Sequence, residues 1–419
     1  MKLSAERLAA ARLLMRVEEG AFASRLLAGT TAPATRVRVL ETLRWLRALD
    51  AVLQPLCRRP LSELDAGVRA VLRLGLVEIV RLGLPPALAT DSAVRLVKRL
   101  GLSSASGMVN AVLRKAAAGW QERLAVASVD VRLAHPWWLF SRWAERFGTS
   151  AAEAAMASAQ EPAVTWVWFL DDSARQALLD EETSLAPHPW CPGAWSAPGD
   201  VGRLVAYVLD GAAYAQDPSS QLVAHLAYSI GGGGRLLDSC AAPGGKAALA
   251  VSLGSWQRTV AADRSLSRLR LMRPLLAAVG GAPAIAADVR RPPFREAEWD
   301  LVLLDAPCSG TGTFRRHPEL KWRLRQASIL ELAAVQRAML ARALELVAPG
   351  GVLLYATCSV EAEENEGVVG ELPKGFAVES LESALPPGVP WIATDAGGIR
   401  ILPNPLGDGF TIHAIRRRS

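Results

Sequence analysis

Three short stretches carry the residues able to do chemistry. Asp238-Ser239-Cys240-Ala241-Ala242-Pro243-Gly244-Gly245-Lys246 is a small-residue loop closed by a lysine. Leu303-Leu304-Asp305-Ala306-Pro307-Cys308-Ser309-Gly310-Thr311-Gly312 joins a carboxylate to a thiol, and Tyr355-Ala356-Thr357-Cys358-Ser359-Val360 supplies a second thiol. A thiolate is the reactive form, and a free thiol near pKa ~8.5 is little ionised at neutral pH. The five cysteines, at 57, 191, 240, 308 and 358, are too few and too scattered for a disulfide framework, and no pair has Cys-x-x-Cys spacing. Reduced thiols and no metal are expected. Cys57 and Cys191 read as small packed hydrophobes and Cys240 as a loop-packing residue. Histidines 135, 188, 225, 317 and 413 match no acid-base constellation.

The loop 238–246 follows a strand and opens a helix, the position at which a doubly wound fold cradles its cofactor. Small residues let the backbone approach a ligand closely. It is not a phosphate loop, because Cys240 stands where the first glycine belongs and Ala247 replaces the hydroxyl residue that would hold magnesium. Nor is it a Gly-x-Gly-x-x-Gly dinucleotide loop. Asp263, at the end of the next strand, can accept hydrogen bonds from ribose hydroxyls, and Asp288 closes the strand after that, toward the adenine end. Taken singly, each Asp also reads as a helix N-cap. Their regular placement favours a nucleoside without phosphates. Gly231 to Gly234 precedes the strand and reads as a connector.

These motifs need a scaffold, and the sequence after Gln216 supplies alternating strands and helices. Strands are expected at 235–238, 259–263, 284–288, 301–305, 352–357 and 409–415, with helices at 266–278 and 329–347. Short apolar strands separated by helices indicate a parallel sheet covered on both faces, with ligands at the carboxyl ends of the strands. Residues 4–118 read instead as helices in series: Leu40, Leu43, Leu46 and Leu49 form one stripe, Val68, Leu72, Leu76 and Ile79 another. Between these parts lies a stretch holding eight of the 13 tryptophans, with a helix near 136–147 and a strand near 164–170. Clustered aromatics can stack on RNA bases, though packing explains such tryptophans more often. The expected segments are 1–125, 126–215 and 216–419.

Charge is uneven. Residues 1–130 hold 20 lysines and arginines against 11 acidic residues, a net of +9, whereas the rest of the chain carries −3. A polyanion partner or a solvated helical surface would each account for this excess. Arg315, Arg316, Lys321, Arg323 and Arg325 form a second basic run, expected to contact RNA phosphates.

The loop Cys-Ala-Ala-Pro-Gly-Gly-Lys, the Asp305-Ala-Pro-Cys308-Ser-Gly stretch and the Thr-Cys358-Ser strand end resemble the RNA cytosine-5 methyltransferases of the Nol1/Nop2/Sun family. Within that family the similarity is to the bacterial branch acting on small-subunit ribosomal RNA, and it runs the length of the chain. It implies a multidomain architecture: an all-α NusB-like RNA-binding domain, a small α+β intermediate domain, and an α/β Rossmann-like domain binding S-adenosyl-L-methionine. Cys240, Ala241, Ala242, Pro243, Gly244, Gly245, Lys246, Asp263, Asp288 and Asp305 are the expected cofactor-binding residues. Carbon 5 of cytosine is too electron-poor to attack a methyl sulfonium, and a thiolate added at carbon 6 makes it enamine-like. The resemblance gives that role to Cys358 and associates Cys308 with product release. Asp305 is expected against the flipped base, and Lys246 is the candidate for favouring the Cys358 thiolate. Methylation of 16S ribosomal RNA is the first reading. The same reaction on tRNA or another ribosomal RNA site, or a vestigial methyltransferase serving as an assembly factor, stay open. With no apolar stretch of 18 residues and no signal peptide, a cytoplasmic monomer away from membranes is expected.

Overall fold

Along the strand Trp299–Asp305, residues Leu301 and Leu303 face one hydrophobic core while Val302 and Leu304 face another, and all four are 0% exposed. A strand buried on both faces reads as a continuous apolar run, because its period-2 alternation separates two cores rather than core from water. Each fully buried Leu or Val contributes about 1.5–3 kcal/mol. Leu236 and Leu237 divide the same way, as do Leu354 and Tyr355.

The computed structural model describes residues 5–28, 32–170, 172–180 and 184–418. The chain forms two compact units, one of residues 1–162 with 314–323, the other of 163–313 with 324–419.

The second unit holds two sheets. The smaller runs β1 (Val167–Phe169), β2 (Ala186–Pro187), β3 (Trp195–Ser196) and β4 (Ala213–Ala215), in the order β2-β3-β1-β4 and antiparallel where paired. The larger has nine strands: β5 (Arg235–Asp238), β6 (Arg258–Asp263), β7 (Ala284–Ala286), β8 (Trp299–Asp305), β9 (Val347–Thr357), β10 (Phe376–Glu379), β11 (Trp391–Ala393), β12 (Ile399–Ile401) and β13 (Phe410–Arg417). Its order is β11-β12-β13-β9-β8-β5-β6-β7, with β10 paired to β13. Strands β5 to β9 are parallel, so the strand ends at 238, 263, 305 and 357 point the same way. The sheet is mixed rather than wholly parallel, because β13 pairs antiparallel with β9 and carries β10 and β12. Short strands β10 to β12 give too little alternation to be read from sequence.

Helix boundaries follow local chemistry. Asp217 caps the helix Pro218–Gly231, its side chain accepting from Ser219 N, with Pro218 in the first turn where its missing N–H costs nothing. Gly232, at φ 51, ends that helix in the left-handed conformation, so 231–234 is a helix terminus and not a phosphate cradle.

The first unit is helical, as the periodicity predicts. Leu43, Leu49, Val68, Leu72 and Leu76 are buried, and Asp65 caps the helix Ala66–Val80. The segment 314–323 is part of this unit's interior. Phe314, 1% exposed, stacks on Trp143 with ring centroids 6.2 Å apart. Lys321 is 1% exposed, and its Nζ donates to the carbonyl oxygens of Arg44 (2.9 Å) and Ala134 (3.0 Å). Arg315 donates to Ser158 O at 3.3 Å, and Arg323 donates to Ala21 O at 3.0 Å and lies over the Phe22 ring. The expectation that this basic run meets RNA phosphates is therefore corrected for Arg315, Lys321 and Arg323, whose side chains serve carbonyls inside the helical unit. Burial pulls the Lys321 ammonium well below the ordinary lysine range, with Arg44 adding to the effect. Among the described residues no helix is long and apolar enough to cross a membrane, and no group of three His, Cys, Asp or Glu is placed to hold a metal.

Half of the eight tryptophans of the middle stretch are interior. Trp143, Trp166, Trp168 and Trp190 are buried, while Trp137 is 55% exposed.

Candidate active site

The loop after β5 crosses to the end of β6. Ala241 N donates to Ala262 O at 2.8 Å, and Ala242 N donates to Asp263 Oδ2 at 3.2 Å. The other oxygen of Asp263 accepts from Ser265 N at 2.8 Å. Asp263 thus fastens both the loop and the following helix start, and a ribose would share its remaining lone pairs. Gly244, at φ +106, precedes the helix Gly245–Ser252, and a Cβ there would lie 2.7 Å from Met272 Cβ. At Gly245 a Cβ would lie 2.6 Å from Tyr214 Cε1 and 3.1 Å from Gln216 Nε2. The loop therefore packs flush against β4 and Gln216 just after it, and Gln216 accepts from Trp168 Nε1 at 2.9 Å. Tyr214 and Trp168 carry no catalytic signature in the sequence, and only the tertiary packing identifies them, with Gln216, as the wall of this loop.

Asp238 ends β5 almost fully buried, at 1% exposure. Its Oδ1 accepts from Cys240 N, and its Oδ2 has no hydrogen-bond partner. Burial, reinforced by Asp305, pushes its carboxyl up to about 7. A buried polar atom without a partner beside a glycine cradle fits a loop shaped to receive a polar ligand. Asp288 lies two residues past β7 rather than closing it, and its carboxylate is gripped by Arg290 through Nε (3.0 Å) and Nη2 (2.6 Å), which holds it down to about 2.

Lys246 Nζ donates to Asp305 Oδ2 at 2.8 Å and stands 5.2 Å from the centroid of the Phe410 ring. Burial pulls the Lys246 ammonium down, but the Asp305 carboxylate, with Cys358 and Asp238 acting in the same sense, outweighs this and raises it. The lysine therefore carries its charge at neutral pH.

Strands β8 and β9 are neighbours in register Asp305↔Ala356, so the residues just past their ends meet. Ala306 N donates to Ala356 O at 2.9 Å, Gly312 N donates to Cys358 O at 3.0 Å, and Cys308 Sγ lies 3.2 Å from Cys358 Sγ. The contact with Cys358 and burial together push the Cys308 thiol well above the ordinary range. Cys191 and Cys240 are pushed up by burial as well, and each of the five histidines is held low by it, in keeping with structural roles. Beneath the two thiols lies Glu364, which no sequence pattern had marked. Its carboxylate accepts from Ser309 N at 2.7 Å, from the hydroxyls of Ser309 and Ser359, and from Gln336 Nε2 at 3.0 Å.

The arrangement puts an ammonium–carboxylate pair, a thiol pair and a glycine cradle at the same edge of one sheet. Such a site can hold a cofactor over the loop and present a nucleophilic sulfur to a substrate beside it.

A family model for 16S rRNA methyltransferase RsmB/F matches residues 229–416, and a NusB family model matches residues 4–118. Ribosomal RNA small subunit methyltransferase B of Sodalis glossinidius is 32% identical over 389 residues, 89% of this chain and 86% of that protein. The protein of the same name from Pasteurella multocida is 30% identical over 444 residues, covering 99% and 96%. Among solved structures, PH0851 superposes over 100% of both chains with a TM-score of 0.76 at 21% identity. NSun6 from Pyrococcus horikoshii, crystallised with SFG, superposes on 68% of this chain and 98% of its own with a TM-score of 0.55 at 20% identity. At those identities the two structures show a common fold.

Proposed function

Because the chain belongs to the RsmB/F family of 16S rRNA methyltransferases, we propose that it methylates carbon 5 of a cytosine in 16S ribosomal RNA, with Cys358 as nucleophile and Cys308 as its partner. S-adenosyl-L-methionine would supply an activated methyl group, and the 240–246 loop and Asp263 would hold it. The Cys358 sulfur adds to carbon 6 of the base and makes carbon 5 nucleophilic. Lys246 favours the thiolate electrostatically, and its partner Asp305 is placed to meet the base as charge develops on the ring. Once carbon 5 carries the methyl group, its proton passes to water acting as base, the C–H electron pair re-forms the carbon 5–carbon 6 double bond, Cys358 departs as the thiolate, and Cys308 assists that release. Residues 1–125 form the RNA-binding segment, 126–215 the small intermediate segment and 216–419 the catalytic segment, and the enzyme works in the cytoplasm as a monomer. A base must leave its stack to enter such a pocket, a cost of a few kcal/mol that is smallest for a single-stranded target.

The observation that carries this reading is the 3.2 Å approach of Cys308 and Cys358 off adjacent strand ends, beside the Lys246–Asp305 pair. Tritium transfer from labelled S-adenosyl-L-methionine to separated 16S, 23S and tRNA fractions tests it, followed by bisulfite mapping. Label in 16S RNA at a bisulfite-resistant cytosine is expected. Label in tRNA alone would move the substrate, and no label in any fraction would remove the activity.

A further inference from the structure

Glu364 lies six residues after Cys358 and is 0% exposed. Burying a carboxylate costs several kcal/mol unless donors replace its water. Here four donors converge on it, and three belong to the residues that directly follow the two reactive cysteines: Ser309 N and Oγ, and Ser359 Oγ. The fourth, Gln336 Nε2, also donates to Pro307 O at 2.9 Å, so the backbone is held on both sides of Cys308. On the other strand end, Ser359 O accepts from Thr411 Oγ1 at 2.8 Å and from Asn365 Nδ2 at 3.1 Å, which keeps Ser359 from moving independently. Tyr355 OH donates to Glu364 O at 2.7 Å and anchors the carboxylate's own backbone. Packing alone explains none of this, since an apolar side chain would fill the space without a desolvation cost.

We propose that Glu364 is a positioning residue for the two thiols: its carboxylate ties the residue after Cys308 to the residue after Cys358 and thereby sets the separation of the sulfurs. This rests on the reading of Cys358 and Cys308 as the reacting pair. Charge-assisted bonds are short and directional, which suits a clasp that must hold two loops in fixed register. Glutamine cannot replace it, because its amide offers one accepting oxygen and turns an NH2 group toward donors.

The test uses the full-length enzyme with 16S RNA and compares wild type, Glu364→Gln, the double variant Ser309→Ala/Ser359→Ala, and the triple combination. Glu364→Gln is expected to lower kcat by about 30- to 100-fold, the scale of a misplaced reacting group, while KM and Kd for S-adenosyl-L-methionine change by less than about 3-fold. The rate of covalent trapping on 5-fluorocytosine RNA should fall with kcat. If the carboxylate acts through the two serines, the triple variant is no slower than Glu364→Gln alone. Wild-type kcat in Glu364→Gln, additive losses in the triple variant, or equal losses of cofactor binding and kcat would each overturn the inference. Should Glu364→Gln fail to fold, the serine double variant decides: a fall in kcat with cofactor affinity retained supports the clasp, and an unchanged kcat overturns it. Wild-type enzyme that makes no 5-methylcytosine removes the underlying reading, and the clasp with it.

Discussion

Cys308 Sγ lies 3.2 Å from Cys358 Sγ, and contact with that neighbour together with burial pushes the Cys308 thiol well above the ordinary range. The proposed roles divide the pair between them, with Cys358 as the sulfur that attacks the base and Cys308 as the one that assists release.

Opposite phenotypes are therefore expected from the two alanine variants. Cys358→Ala should lose methyl transfer and form no RNA-linked species. Cys308→Ala should accumulate protein bound to RNA, seen as a slow band that survives denaturing electrophoresis and disappears with ribonuclease. The reverse pattern would exchange the two roles.

Gly245→Ala should weaken cofactor binding by about 10-fold, because the added Cβ falls 2.6 Å from Tyr214 Cε1 and the wall of the loop must shift. Calorimetric titration with S-adenosyl-L-methionine measures the loss. Adding Tyr214→Ala should restore part of it, and no recovery would mean that the strain falls elsewhere in the loop.

Asp238 predicts a pH dependence of folding stability. Its carboxyl is raised to about 7 in the fold, against about 3.9 in an unfolded chain. Between those values the native state binds more protons than the unfolded one, so this group makes stability fall as pH rises, by up to about 1.4 kcal/mol per unit. Above the folded value its contribution is constant. Urea unfolding at pH 5 and pH 8 should show Asp238→Asn losing less stability across the interval than wild type. Equal losses would place the titration elsewhere.

Phe314→Ala should destabilise the helical unit by about 3–5 kcal/mol, since it empties a site packed against Trp143 and His135. Denaturant unfolding followed by tryptophan fluorescence gives the value. A loss under about 1 kcal/mol would mean that the segment 314–323 contributes little to that core.

The strands that end at Asp238, Asp263, Asp305 and Thr357 are legible in the sequence because each is a short apolar run stopped by a polar residue, and a two-sided parallel strand has no other pattern. The positions of the thiols and the loop are legible for the same reason, since they directly follow those strand ends. Within the basic run, Arg315, Lys321 and Arg323 mislead, because local composition reports charge, whereas the carbonyls that receive Lys321 come from Arg44 and Ala134, far away in the chain. Glu364 is silent in the sequence on the same ground: an acidic residue in Glu361-Ala-Glu-Glu-Asn reads as solvated surface until Ser309 and Gln336 are seen around it. Tyr214 is silent too, because its significance is a distance to Gly245 and not a residue type.

The contribution of 314–323 to the first unit sets a schedule for synthesis. Residues 1–162 leave the ribosome first, yet residues 163–313 must be made before Phe314 and Lys321 exist. At roughly 5–20 residues per second that is a wait of roughly 8–30 s, during which Trp143 lacks its stacking partner and the carbonyls of Arg44 and Ala134 lack their donor. The nascent helical unit is therefore unfinished through most of translation, and it closes only as the stretch just after Cys308 emerges, so the first unit is completed only after most of the second has been made.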